Sequence, residues 1–206
     1  MTMLSRRTLF IATAGLAAMP SLARAAPHVG ASPPDFTGTD SDGRPVRLAD
    51  FRGKLVVLEW TNDGCPYVQK FYGAGAMQQL QRDAAAMGAV WLSVISSAPG
   101  EQGAADGALA NELTRTRNAA PSHVILDPRG DIGRLYEARV TPHMFVIGRD
   151  GLLGYMGGID SIASARAEDI ARATPHTRLA VTAIAAGQPA PSPVTRAYGC
   201  SVKYAA

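Results

Sequence analysis

The chain has 206 residues, a formal charge of +3 and two cysteines. Three of its arginines lie within the first 25 residues, which hold no acid, so the remaining 181 residues carry 17 charges of each sign. That balance removes the main support for nucleic-acid or anionic-membrane binding, and two cysteines are too few for a disulfide-stapled scaffold, while the length suits one domain with a real core.

The first 25 residues read as an address rather than as fold. Arg6 and Arg7 stand in a basic head, a moderately apolar stretch follows over 11–22, and Ala23-Arg24-Ala25 offers the small-x-small pattern of a signal-peptidase site. The pattern resembles a bacterial twin-arginine signal, with cleavage after Ala25 and export to the periplasm. The apolar stretch is too short to span a bilayer, so no membrane anchor is expected after cleavage. The expected organisation is a signal peptide at 1–25, one domain at 26–187, and a Pro-rich tail at 188–206 carrying Cys200.

After a loose lead-in, Asp42-Gly43 marks a turn between extended pieces at 36–39 and 45–48. Residues 55–60 (LVVLEW) form a run short enough for one buried strand. The turn Thr61-Asn62-Asp63-Gly64 then leads to Cys65, at an N-cap position, and to Pro66, which suits the first helical position. A sulfur beside unpaired N–H groups at the positive end of a helix favours its thiolate, so Cys65 is the candidate nucleophile.

The helix started by Pro66 is expected to run to about Tyr72 and to break at Gly73-Ala74-Gly75. A second helix follows, with Met77, Leu80, Ala84 and Met87 on one face. Residues 89–96 (AVWLSVIS) form a nearly continuous apolar strand, and 98–107 reads as flexible and polar. A helix over 108–118 is expected to bury Leu109 and Leu113. A strand over 122–126 and a short helix capped by Asp131 come next. Thr141-Pro142 precedes a hairpin of 144–147 and 152–156 turning at Asp150-Gly151. A last helical region over 164–186 is interrupted at Pro175 and ended by Gly187.

Alternating strands and helices that finish in a hairpin and a helix argue an α/β sheet covered on both faces. The reactive cysteine after the first central strand, with a Thr-Pro before the closing hairpin, resembles the thioredoxin fold. Pro34-Asp35-Phe36, Asp42-Gly43, Leu48 and Phe51-x-Gly53-Lys54 resemble the opening of its redoxin and peroxiredoxin branch. The resemblance covers about residues 33–186 and implies a central mixed sheet. Two departures stand out. Val68 occupies the place of the second thiol of Cys-x-x-Cys, and Asn62 and Leu58 stand where peroxiredoxins carry Thr or Ser and Pro before their peroxide-reacting cysteine. The chain is similar to a subgroup that keeps only the first thioredoxin cysteine.

The resemblance also implies roles. Pro142 would be the cis-proline beside Cys65, and the Thr141 backbone would pair with an extended substrate. Trp60 matches an aromatic near the thioredoxin site, and Glu59 matches a buried acid that relays protons. The expected activity is that of an exported thiol-disulfide oxidoreductase acting on protein or small-molecule thiols and disulfides, with Cys65 attacking and Cys200 as its partner. The alternatives are hydroperoxide reduction, and a non-catalytic binding or copper-handling module. No cofactor or metal is expected, since one thiolate and one imidazole make a poor closed site. The Pro-rich tether before Cys200 is long enough to cross a small domain, both cysteines follow glycine, and three relations remain open: a reversible redox pair, a permanent staple, or no contact.

Overall fold

The computed structural model describes residues 26–205, so the predicted export signal at 1–25 lies outside the described residues. The chain opens with β1 (Thr37–Asp40) and β2 (Pro45–Arg47), a hairpin that Gly43 turns at φ 80°. A 3-10 turn leads into β3 (Leu55–Trp60), all six residues of which are buried. Then come α1 (Pro66–Gly73), α2 (Ala76–Ala86), β4 (Ala89–Ile95), α3 (Gly107–Thr116), β5 (His123–Leu126) and α4 (Asp131–Leu135). The remaining elements are β6 (Val140–Thr141), β7 (His143–Ile147), β8 (Leu153–Gly157), α5 (His176–Ala185) and β9 (Cys200–Ser201).

Seven strands form one mixed sheet in the order β2-β1-β5-β4-β3-β7-β8. β3 runs parallel to β4 and antiparallel to β7, so it lies inside the sheet and can be apolar on both faces. Leu55 and Val57 pack with Val68 and Phe71 of α1, Met77, Leu80 and Ala84 of α2, and Val181 of α5. Val56, Leu58 and Trp60 face the other way, toward Phe36, Ile132 and Tyr136. The expected α/β sheet with helices on both faces is therefore present.

Several local expectations are corrected. In α3 it is Ala110 that is buried, while Leu109 is 43% exposed and Leu113 half-buried. A Cβ on Gly107 would stand 2.3 Å from the Ser41 carbonyl oxygen, so this close backbone approach turns the 107/110/114 face inward. The helix α4 is capped by Asp127, which accepts from the N–H groups of Ile132 (3.2 Å) and Gly133 (2.8 Å), and not by Asp131. The region before Pro175 forms only a short 3-10 segment, Ala167–Arg172, and the α-helix starts after the proline.

The tail departs most from expectation. Rather than a free tether, it is tied along its length. Met156 N–H donates to Pro193 C=O (3.0 Å) and Thr195 N–H to Met156 C=O (3.1 Å), which adds a short bridge beside β8. Residues of β9 then pair antiparallel with β6, Cys200 opposite Thr141 and Ser201 opposite Val140. Beyond them, Val202 N–H donates to Arg139 C=O (3.0 Å), Ala98 N–H to Lys203 C=O (2.7 Å) and the Tyr204 hydroxyl to Ala138 C=O (2.6 Å).

Candidate active site at Cys65

At the carboxyl end of β3 the chain makes a polar turn that aims Cys65 at the loop before β7. Asn62 shapes that turn: its Oδ1 accepts from Gly64 N–H (2.9 Å), and its C=O accepts from Cys65 N–H (3.1 Å). The loop around Gln102 closes over it, with Asn62 Nδ2 donating to Gln102 C=O and Gln102 Nε2 to Gly64 C=O, both at 3.0 Å. The segment 98–107, expected to be flexible, is held by these bonds. Cys65 is extended (φ −82°, ψ 120°) and Pro66 stands in the first turn, the geometry of an N-cap.

The Cys65 thiol donates to Thr141 C=O (3.2 Å), and the following peptide, Thr141–Pro142, is cis. Cys200 is set opposite Thr141 by the β6–β9 ladder. Gly199 makes this approach possible: at φ +141° a Cβ would fall 1.9 Å from the Thr141 carbonyl oxygen, so no side chain fits. Both thiols thus converge on Thr141, close enough for each to act on the other's proton, and both are free.

Their environments drive the two thiols apart. Burial pushes Cys65 up, but the Cys200 thiol and N–H, the Thr141 side chain and the Val68 amide all favour its thiolate, and the balance falls below the ordinary cysteine value. The Thr141 hydroxyl is buried with no hydrogen-bond partner, so it is free to turn to the thiolate. Cys200 is pushed up to about 11, first by burial and then by Cys65 beside it. One sulfur of the pair is thus the natural thiolate and the other the natural thiol.

A buried latch holds the tail in place. The Tyr198 hydroxyl donates to Asp160, whose carboxylate also takes the Lys70 ammonium at 3.1 Å, and the Lys70 side chain is fully buried. The Tyr67 ring meets Tyr198 edge-on at 5.7 Å between centroids. Sequence reasoning missed Lys70, Asp160 and Tyr198. They are far apart in the chain, and nothing in their spacing announces the contact.

Of the residues expected at the site, Cys65, Cys200, Thr141 and Pro142 come together, and Glu59 and Trp60 do not. Glu59 lies wholly buried beneath α1 and α2, accepting from Trp91 Nε1 (2.8 Å), Ser93 Oγ (2.9 Å), Tyr72 Oη (2.9 and 3.1 Å) and Gln81 Nε2 (3.4 Å). None of these bonds leads to Cys65, and burial raises its pKa. The Trp60 indole lies on the opposite face of the sheet, with its N–H on Ser96 Oγ (3.1 Å) and its rings against Tyr136 and Phe145, leaving no surface for a substrate. His143 also turns to that face, onto Phe145, and burial with Arg139 nearby lowers its pKa to about 4, so it is neutral at physiological pH. Among the described residues no group of three or more His, Cys, Asp and Glu is disposed to hold a metal ion, and no helix is long and apolar enough to cross a membrane.

A sequence model described as the AhpC/TSA family matches residues 29–156. No curated protein matches the chain. A hypothetical protein from Sinorhizobium meliloti superposes with a TM-score of 0.73 at 20% identity, over 88% of this chain and 97% of its own. An uncharacterised conserved protein from Geobacillus kaustophilus gives 0.72 at 22% identity, over 86% and 93%. A proposed thiol:disulfide interchange protein, DsbE, from Chlorobium tepidum gives 0.51 at 24% identity, over 64% and 85%. At such identities these likenesses speak for the fold, which is thioredoxin-like.

Proposed function

Because the chain belongs to the AhpC/TSA family, we propose that it is a thiol-disulfide oxidoreductase whose working pair is Cys65 and Cys200. One observation carries this reading: β9 sets Cys200 opposite Thr141, and the Cys65 thiol bonds to that same Thr141. The tail supplies the thiol that Val68 lacks. In the oxidised state the two sulfurs share a bond. Two external thiols, RSH, give up two electrons and two protons to it, leaving RSSR and two protein thiols. The reverse passage oxidises the pair at the expense of an external disulfide.

The lowered pKa of Cys65 gives the pair its direction, because a ready thiolate both closes on a mixed disulfide and leaves easily from one. Hydroperoxide reduction has less to recommend it. Asn62, in the place where peroxiredoxins carry Thr or Ser, has both ends of its amide committed to the turn and to the Gln102 loop. Export through the twin-arginine-type leader at 1–25 belongs to the same reading, because a reversible disulfide suits an oxidising compartment.

The test is direct. Oxidation of the purified mature protein should remove both free thiols. A low-mass dithiol should then be oxidised catalytically in the presence of a disulfide such as oxidised glutathione. Cys65→Ser and Cys200→Ser should each bring turnover to background; turnover surviving in either variant would refute the pairing.

A further inference from the structure

The working pair is unequal in what it offers to solvent. Cys65 is fully buried in the cluster that also holds Val68 and against which Tyr67 and Tyr198 pack, whereas Cys200 keeps part of its surface open and is followed by exposed Ser201. The cover over Cys65 is not a loose flap. It is tied upstream by Thr195 and by Tyr198 on Asp160, and downstream by Val202, Lys203 and Tyr204. The strand bearing Cys200 is therefore fastened on both sides of the cysteine, and opening it would break several backbone and side-chain hydrogen bonds at once.

Displacement at a disulfide sulfur is in line: the nucleophile enters opposite the departing sulfur. Cys65 leaves no surface open to an incoming thiolate, since it is wholly buried in the cluster that Val68 and Phe71 of α1 help to form. Cys200, part of whose surface is open, can be reached from solvent. Lys203, whose charge reaches Cys200, favours an incoming anion there.

Resting on the proposed pairing, we propose that the external thiol attacks the sulfur of Cys200 and that Cys65 is the thiolate it expels. This inverts the roles expected from the sequence, where Cys65 met the substrate. In the first step RS⁻ bonds to Cys200 Sγ, the Sγ–Sγ bond breaks, and the electron pair leaves on Cys65 Sγ. In the second step another RS⁻ attacks the R sulfur of the mixed disulfide, forming RSSR and releasing Cys200, which takes a proton from solvent. The leaving-group order agrees, since displacement is faster when the departing thiol has the lower pKa, and that thiol is Cys65. The substrate class follows from the cover: a thiol that is small or presented on an extended segment, able to reach a partly exposed sulfur without lifting the tail.

The test uses the oxidised wild-type protein. It is mixed with 2-mercaptoethanol, quenched with acid at successive short times and mapped by peptide mass spectrometry, and the two mixed disulfides are extrapolated to zero time. The ratio at zero time is the ratio of attack rates. The adduct on Cys200 should exceed that on Cys65 by about tenfold or more. A smaller excess, or an excess on Cys65, overturns the order of attack and leaves the pairing standing. Failure to form any Cys65–Cys200 bond on oxidation would remove the pair itself, and both conclusions with it.

Discussion

On the Cys65 sulfur two effects compete for one proton. Burial favours the neutral thiol, and the converging donors favour the thiolate and win. Thiolate absorbance of the reduced protein should therefore rise in two steps, the first below the ordinary cysteine value and the second at about 11. Because alkylation follows the thiolate, the Cys65 rate should climb with pH through that first step and then level off. Cys200→Ala removes a donor and should move the first step upward; an unchanged midpoint would deny the contact. Glu59 poses the opposite case, a carboxyl whose pKa is raised chiefly by burial. Between its unfolded and its raised folded value the folded protein holds more protons than the unfolded chain, so stability falls as pH rises across that window. Glu59→Gln should flatten this decline in urea midpoint while leaving the pH profile of thiol exchange where it was. A shifted exchange profile would instead make Glu59 a proton relay.

Among the elements, β9 matters out of proportion to its two residues. Its seat depends on Gly199, where a Cβ would collide with the Thr141 carbonyl. Gly199→Ala should unseat the strand, slow closure of the Cys65–Cys200 bond, and raise Cys65 alkylation by about tenfold or more, since ~1.4 kcal/mol of strain already shifts a seating equilibrium that far. An alkylation rate equal to that of wild type would show that the strand does not cover the thiol. This element was also the least legible in the sequence. The run 55–60 announced β3 through its apolar residues, and Pro66 announced the start of α1, because burial and φ are properties of single residues. A pairing of two residues across 59 positions leaves no periodicity to read. The same limit explains α3, where Leu109 and Leu113 had the right spacing but the contact of Gly107 with Ser41 chose another face. Thr141-Pro142 and both cysteines were visible as site residues; the latch of Lys70, Asp160 and Tyr198 was not, because a buried ion pair is defined only once the fold has closed.

For the molecule as a whole, a Cys65–Cys200 bond would close a loop over most of the domain. In the chain-entropy account such a loop stabilises by ~4–5 kcal/mol through the unfolded state. Oxidation should thus raise the urea midpoint of the wild type and leave that of Cys200→Ser unchanged. The midpoint potential should lie above about −300 mV, on the exchanging side, because the Cys65 thiolate stabilises the reduced form. The short ladder between β6 and β9 carries one more consequence. Its receiving edge, Val140–Thr141, identifies the incoming strand only by shape, and the same segment of a neighbouring molecule has that shape too. Copies loosened together in mild denaturant at high concentration should trade tails on refolding and form closed twofold dimers, each Cys65 facing the other copy's tail. Oxidation would then lock them covalently, and they would appear as reductant-sensitive dimers whose yield grows with protein concentration and vanishes in Cys200→Ser.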